Sequence, residues 1–185
     1  MSNLVAAKLG KGISPQQFQE GMTKNQEQFI AWYEQFAWQS EADEQFFESL
    51  SDRDDVRCLI IAADWCGDVV RNIPVVFRAL AKSGIPVEVF IKEEHEDLMK
   101  EFEGKGIPVV IFADTGGFVL GKWGPRPAYV QAIMTAFKAT DPDREAPDFQ
   151  EKMLAVRQEM IRAYGEDTSY QHVVVSELKE LLSSF

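Results

Sequence analysis

The chain has 185 residues, of which 45% are hydrophobic, and its formal net charge is −11. This length predicts one domain with additions rather than two complete domains, and the apolar fraction is ample for a packed core. The negative charge argues against nucleic acids and anionic membrane surfaces as partners. The lack of a long apolar run argues against a signal peptide in residues 1–18 and against a membrane span.

Helical patterns occupy the first fifty residues. Ser14 and Pro15 predict a helix start, with the serine as cap and the proline in the first turn. Aromatic residues then recur at helical spacing: Phe29, Trp32, Tyr33 and Phe36. A second apolar cluster lies in residues 42–50. We interpret both stripes as helix faces packed on a core rather than as the roof of a ligand groove, and we expect residues 1–50 to be an N-terminal helical extension.

Residues 51–140 alternate between strand and helix patterns, in the order β-α-β-α-β-β-α. The predicted strands are residues 57–63, 86–91, 108–113 and 118–122, and the predicted helices are residues 66–83, 93–102 and 128–138. A helix crossover makes the first two strands parallel, whereas the turn at residues 114–117 makes the last two an antiparallel hairpin. This order predicts an α/β domain built on a mixed four-stranded sheet with helices on both faces.

A polar linker at residues 141–147 separates this region from two more predicted helices. The first carries apolar residues at helical spacing: Phe149, Met153, Val156, Met160 and Tyr164. The second runs from about Val173 to Leu182. Residues 141–185 are therefore predicted to be a C-terminal helical extension.

The two cysteines occupy different positions in the predicted sheet. Cys58 begins the first strand and Cys66 lies beyond its end, so at ~3.3 Å per residue their Cα atoms are roughly 20 Å apart. A disulfide needs less than about 7 Å, and Cys58 is expected to be a buried, inert thiol. Two cysteines that are too far apart to pair predict a protein of the reducing cytosol. Neither His95 nor His172 neighbours a cysteine, so no metal site is predicted.

Trp65-Cys66-Gly67-Asp68 directly follows the first apolar strand and begins a helix. The free backbone N–H groups and the dipole at a helix N-terminus favour a thiolate at Cys66. Asp68 opposes this effect, because a nearby carboxylate disfavours a second negative charge, and Arg71 lies near enough in sequence to offset part of that opposition. The sequence leaves this balance open.

Several features of residues 50–140 resemble the thioredoxin family. Trp65-Cys66-Gly67 is similar to the start of the family's W-C-G-x-C site, at the same junction of strand and helix. Pro74, eight residues beyond Cys66, is similar to the family's kinking proline in that helix. The motif most resembles the site of those thioredoxin-like family members that carry the sequence W-C-G-D-C.

The loop and hairpin that follow also resemble this family. Ile107-Pro108 is similar to the loop whose proline has a cis peptide bond and lies beside the active cysteine. The hairpin after Pro108, followed by Gly124, is similar to the family's closing strands. The resemblance implies a thioredoxin-like three-layer α/β/α fold, with a core at residues 51–140 between the extensions at residues 1–50 and 141–185.

The resemblance implies that Cys66 is the catalytic residue of a site that holds no metal. It assigns substrate binding to the residues around this thiol: Trp65, Gly67, Asp68, Ile107 and Pro108. The chain departs from the family at three positions, one of which is Asp68 in place of the usual proline. Val69 stands where the resolving cysteine would be, and Ile60 stands where thioredoxins often hold a buried acid.

A single thiol can form a mixed disulfide but cannot release the substrate by itself. We therefore expect a monothiol thiol-disulfide oxidoreductase in cell redox homeostasis, resolved by an external thiol. Its partners would be protein or small-molecule thiols and disulfides, with a low-molecular-weight thiol as co-substrate and no other cofactor. The alternatives are a redox-sensing or protective thiol and a non-catalytic peptide- or protein-binding module. A dithiol reductase is close to excluded by Val69, and the oligomeric state is left open.

Two charged residues near the motif have alternative interpretations. Arg126, in the turn before the helix at residues 128–138, either holds an anionic thiol cofactor such as a glutathione-like molecule or is simply solvated. Asp64, beside Trp65, is expected at the surface.

Overall fold

The computed structural model of the protein describes residues 4–102 and 106–185; residues 1–3 of the predicted N-terminal extension and 103–105 of the predicted core lie outside them. The strands are β1 (Val56–Ala62), β2 (Val87–Ile91), β3 (Val109–Asp114) and β4 (Val119–Trp123). The helices are α1 (Leu4–Lys8), α2 (Pro15–Gly21), α3 (Gln26–Gln35), α4 (Glu41–Ser49), α5 (Gly67–Ser83), α6 (Glu96–Glu101), α7 (Ala128–Ala139), α8 (Phe149–Tyr164) and α9 (Ser169–Leu182).

The four strands form one mixed sheet in the order β2-β1-β3-β4. β1 is parallel to β2 and antiparallel to β3, and β3 and β4 form an antiparallel hairpin. Helices lie on both sides of the sheet. The predicted α/β architecture is therefore confirmed, and the almost unbroken burial of β1 is what a central strand covered on both faces requires.

Two helix predictions differ from the structure. The helix expected at residues 93–102 is a 3₁₀ turn (Lys92–Glu94) followed by α6, because His95 has non-helical backbone angles (φ −133°, ψ 53°). The last helix begins at Ser169 instead of Val173. Its first turn is held by Asp167, whose carboxylate accepts a hydrogen bond from the Ser169 backbone N–H at 2.9 Å, a local polar contact that apolar spacing does not reveal.

The N-terminal segment protects one edge of the sheet. Ile13 pairs with Val89 of the edge strand β2 in an antiparallel bridge, with N···O distances of 2.9 and 2.7 Å. The predicted cap at Ser14 is confirmed, since its Oγ accepts from the Gln17 N–H at 3.1 Å and the Gln17 side chain accepts from the Ser14 N–H at 2.8 Å. An edge covered in this way is less open to pairing with another chain.

Both aromatic stripes of the N-terminal helices pack on the core, as predicted. Phe29 and Phe47 are fully buried, and Phe36 is 5% exposed. Phe29 contacts the ring of Phe77 on α5 at a centroid distance of 5.8 Å. The long helix α5 packs against α3, α4 and α9, which joins the two terminal segments to the helix that begins at Cys66.

The remaining helices extend this arrangement. α7 packs against α8, and α9 packs against both α5 and β4. No helix in residues 4–102 and 106–185 has the length and apolar character that crossing a bilayer requires.

Candidate active site

Cys66 lies at the junction of β1 and α5. Four residues after the end of β1 bring the chain to Cys66, which has extended backbone angles (φ −88°, ψ 123°) and is the N-cap of α5. Its carbonyl accepts the first helical hydrogen bond, from the Val70 N–H at 3.1 Å. The thiol therefore lies at the positive end of a helix dipole, as the sequence predicted.

The thiol contacts the loop that precedes β3. Cys66 Sγ donates a hydrogen bond to the carbonyl oxygen of Ile107 at 3.5 Å. The Ile107–Pro108 peptide bond is cis, and both residues are buried. The structure thus brings the cysteine and the proline loop together, although they are far apart in sequence.

Gly124 makes room for this loop. Its backbone φ is +116°, in the region that favours glycine, and a Cβ added to it would lie 2.4 Å from the carbonyl oxygen of Pro108. The turn at Gly124–Pro125 can therefore approach the back of the Pro108 loop only because residue 124 has no side chain.

The two cysteines differ in exposure, which confirms the prediction from the strand pattern. Cys58 is fully buried and its thiol pKa is raised by burial, whereas Cys66 is partly exposed. Gly67 is exposed, and a Cβ added to it would meet nothing within 4 Å. The backbone next to the partly exposed Cys66 thiol is thus open.

The protonation balance at Cys66, left open by the sequence, favours the thiol. Burial raises the pKa of Cys66, and the Asp68 carboxylate raises it further. The N–H groups of Val69 and Asp68 at the start of α5 and the positive charge of Arg126 lower it, but the net pKa remains above its ordinary value. Cys66 is therefore mainly protonated at neutral pH in the unbound protein.

Arg126, rather than Arg71, is the cation that pairs with Asp68. Its Nε and Nη2 atoms donate to Asp68 Oδ2 at 3.1 and 2.7 Å, and its side chain is only 10% exposed. Burial opposes its charge, but the bond to Asp68 leaves the pKa of Arg126 raised. Neither sequence interpretation of Arg126 holds, because the side chain is neither solvated nor free to hold an anionic cofactor.

Arg71 is directed away from this pair, which corrects its predicted role. Its guanidinium lies 4.5 Å from the ring centre of Trp32, and its Nη2 donates to the Gly165 carbonyl at 2.9 Å. The three-residue spacing of Asp68 and Arg71 on α5 would allow a pair, but packing against Tyr164 of α8 and Tyr170 of α9 takes Arg71 into an aromatic cluster instead.

Two contacts at Asp68 come from residues that the sequence did not assign to the site. Tyr164, at the end of α8, donates its hydroxyl proton to Asp68 Oδ1 at 2.7 Å. Asn72 is fully buried and donates to both the Asp68 carbonyl at 2.9 Å and the Tyr164 hydroxyl at 2.8 Å. A buried asparagine inside an apolar helix face was the one available signal, because buried amides need partners.

Trp65 forms the exposed side of the site. It is 47% exposed, and its Nε1–H donates to Glu93 Oε1 at 2.6 Å while the Lys92 ammonium lies 5.2 Å from the ring centre. These contacts hold the indole in place while leaving part of it open. An exposed, oriented aromatic ring next to a thiol is a suitable surface for an extended partner.

Asp64 joins the turn to the N-terminal segment. Its Oδ2 accepts from the N–H groups of Thr23 and Lys24 at 2.9 and 3.1 Å, and its carbonyl accepts from Asn25 Nδ2 at 3.0 Å. Burial raises the pKa of Asp64, but these hydrogen bonds outweigh burial and leave the pKa below its ordinary value. Asp64 is thus a partly exposed surface residue, as expected, and these hydrogen bonds anchor it to the N-terminal segment.

Two of the three departures from the family pattern lie in the core. Val69 and Ile60 are fully buried. The position that would carry a resolving thiol is therefore filled by a packed aliphatic side chain, and the centre of β1 carries no acid. Within the described residues no group of His, Cys, Asp and Glu has the arrangement of a metal site.

A cavity beside the Trp65 turn does not enclose the thiol. It has a volume of about 250 Å³, and its lining includes Asp64, Glu93 and residues of α2 but neither Cys66 nor Ile107. Small-molecule sites generally surround most of their ligand. The open surface at Cys66 therefore suits a flat or extended partner better than an enclosed ligand.

A family model described as thioredoxin matches residues 12–138, which is more than half of the chain. Among solved structures, one similar chain is a protein of unknown function from Pseudomonas aeruginosa, with a TM-score of 0.63, 18% identity, and coverage of 94% of this chain and 93% of that one. Another is an HIV epitope scaffold, with a TM-score of 0.66, 18% identity, and coverage of 98% and 97%. At this identity they show the fold alone. No curated protein matches significantly.

Proposed function

Because the chain belongs to the thioredoxin family, we propose that it carries out thiol-disulfide chemistry through the single thiol of Cys66. The observation that carries this proposal is the position of that thiol. It is partly exposed at the N-terminus of α5, 3.5 Å from the Ile107 carbonyl, and the backbone of the neighbouring Gly67 is open. Trp65, Gly67, Asp68, Ile107 and Pro108 surround it and are the proposed substrate-binding residues.

The reaction has two exchange steps. Cys66 loses its proton to solvent, and its thiolate attacks one sulfur of a substrate disulfide. A bond forms between Sγ and that sulfur, and the other sulfur leaves as a thiolate that takes up a proton. An external thiolate then attacks the substrate sulfur of the mixed disulfide, forms a new disulfide with it, and releases Cys66 as a thiolate.

The requirement for an external thiol follows from Val69. A dithiol site would complete the second step with its own second cysteine, but Val69 is fully buried and Cys58 is fully buried within β1. The proposed partners are therefore a protein or small-molecule disulfide and a resolving thiol, such as a low-molecular-weight cytosolic thiol. Both cysteines are free, which supports action in a reducing compartment such as the cytosol.

Incubation with glutathione disulfide, followed by intact mass measurement, tests the first step. We expect one adduct on the native protein at Cys66, no adduct on the Cys66→Ser variant, and an unchanged adduct on Cys58→Ala. Without an added thiol, the reaction of the unmodified protein with insulin should stop at the mixed disulfide, because no second cysteine releases the substrate. If the denatured protein gains the adduct and the native protein does not, the proposal is wrong.

One observation favours a second function, a non-catalytic binding module for an extended peptide or protein. Burial raises the pKa of Cys66, and the thiol proton is engaged by the Ile107 carbonyl, so the resting site holds little thiolate. The exposed indole of Trp65 would then be part of the binding surface. Capture of disulfide-free peptides by Cys66→Ser, at the same affinity as by the unmodified protein, would support this function.

A further inference from the structure

The C-terminal segment reaches the start of α5 through one hydroxyl group. Tyr164, the last residue of α8, donates to Asp68 Oδ1 at 2.7 Å. Asn72 Nδ2 donates to the same Tyr164 oxygen at 2.8 Å. Because an amide N–H can only donate, the phenol accepts from Asn72 and its single proton is directed to Asp68. Tyr164 lies outside the residues that the thioredoxin family model matches.

Both oxygens of the Asp68 carboxylate are therefore occupied. Tyr164 bonds Oδ1, and Arg126 bonds Oδ2 at 2.7 and 3.1 Å. The Asp68 and Arg126 side chains are 18% and 10% exposed, and Tyr164 is 5% exposed. Charges with so little solvent contact are only weakly screened by dissolved ions, so changes at this cluster act on nearby groups at ordinary salt concentrations.

The cluster consists of Asp68, Arg126 and Tyr164. Cys66 is the reactive group that lies closest to Asp68 in the sequence. The charge of Asp68 disfavours a thiolate at Cys66, and the charge of Arg126 favours one. A hydrogen-bond donor on a carboxylate offsets part of its negative potential. Two other groups face Tyr164: the Arg71 guanidinium, 5.2 Å from its ring centre, and the ring of Tyr170, at 5.4 Å.

We propose that Tyr164 is a positioning residue for the chemistry of Cys66: by donating its hydroxyl proton to Asp68, it limits the negative field of that carboxylate at the thiol and keeps the thiol reactive. The inference rests on the proposed function of Cys66. It makes the C-terminal segment part of the site, through a residue that does not touch the reacting atoms.

The rate of Cys66 carbamidomethylation by iodoacetamide, measured by peptide mass over a pH series, tests this role. Tyr164→Phe keeps the ring and removes the donor. We expect its pH profile to move to higher pH, with the rate below the midpoint falling about threefold, which corresponds to about half a pH unit. Asp68→Asn removes the charge and should move the profile to lower pH. In the Asp68→Asn background, Tyr164→Phe should cause no further shift.

Tyr170→Phe is the matched control. Tyr170 is also a buried tyrosine, but its hydroxyl donates to the Arg71 carbonyl at 2.7 Å and not to Asp68. The Tyr170→Phe substitution should lower thermal stability by an amount similar to Tyr164→Phe and leave the pH profile of Cys66 alkylation unchanged. A purely structural role for Tyr164 would give both variants the same profile.

Three results would overturn the inference: no shift in Tyr164→Phe, an equal shift in Tyr170→Phe, or an equal shift of Tyr164→Phe with and without Asp68→Asn. If circular dichroism shows that Tyr164→Phe does not fold, the Asp68→Asn variant tests the inference instead. An unchanged midpoint of its alkylation pH profile would show that the Asp68 charge does not act on Cys66 and would overturn the inference. Alkylation needs no disulfide partner. A shifted profile in a protein that forms no glutathione adduct would therefore reject the proposed function and not the role of Tyr164.

Discussion

The pair between Arg126 and Asp68 allows a quantitative prediction for Arg126→Gln. Loss of one partner from a fully buried ion pair costs about 3–5 kcal/mol, because the remaining charge is left unpaired. The pair here retains some solvent contact, at 10% and 18% side-chain exposure, and Tyr164 still donates to Asp68 in the variant. We therefore expect the free energy of unfolding to fall by about 2 kcal/mol.

Urea denaturation at neutral pH measures this loss, with the slope checked for constancy between variants. The double variant Arg126→Gln/Asp68→Asn should recover more than half of it, because no unpaired charge remains. Lys152→Gln is the matched surface control. It breaks an ion pair with Asp148 whose side chains are 58% and 52% exposed, and should cost less than about 0.5 kcal/mol. A loss in Arg126→Gln no larger than in this control, or a double variant no more stable than the single one, would refute the reasoning.

Three further predictions concern single positions. Val69→Cys should raise insulin reduction above that of the unmodified protein, because it supplies a second thiol in the first turn of α5; unchanged turnover would show that a thiol at this buried position does not resolve the mixed disulfide. Gly124→Ala should lower the urea midpoint by the equivalent of about 2 kcal/mol or more, because its φ is +116° and the added Cβ would meet the Pro108 carbonyl; an equal midpoint would contradict this. Asp64→Ala should cost about 1 kcal/mol at neutral pH. Since the folded-state pKa of Asp64 is lowered, that cost should be fully present above about pH 4 and vanish as the pH falls further, whereas a pH-independent cost would indicate a packing effect.

The order of strands and helices could be predicted because it depends on local patterns. Apolar runs, turn residues and helical spacing placed all four strands within one residue of their observed bounds. The central strand β1 is a continuous apolar run because both of its faces are covered, and this is visible without coordinates. Errors arose where a single polar contact or backbone angle decides a helix boundary, as at His95 and Ser169.

The electrostatic surroundings of Cys66 could not be predicted in the same way. The sequence offered Arg71 as the cation that offsets part of the effect of Asp68 on Cys66, because it is close in the chain. The structure instead uses Arg126 and Tyr164, which are separated from Asp68 by 58 and 96 positions. Contacts at such separations depend on how α7 and α8 pack, and no local pattern carries that information.

The sequence by itself determined that a cysteine begins a helix after a buried strand, that no second thiol stands at position 69, and that a proline loop precedes the third strand. These are properties of neighbouring residues, and chain geometry and residue chemistry suffice to read them. Only the tertiary structure decided what the thiol experiences there. Its burial, the approach of the Ile107 carbonyl and the occupation of the Asp68 carboxylate all arise from segments brought together by packing, and each acts over a few ångströms in a poorly screened environment.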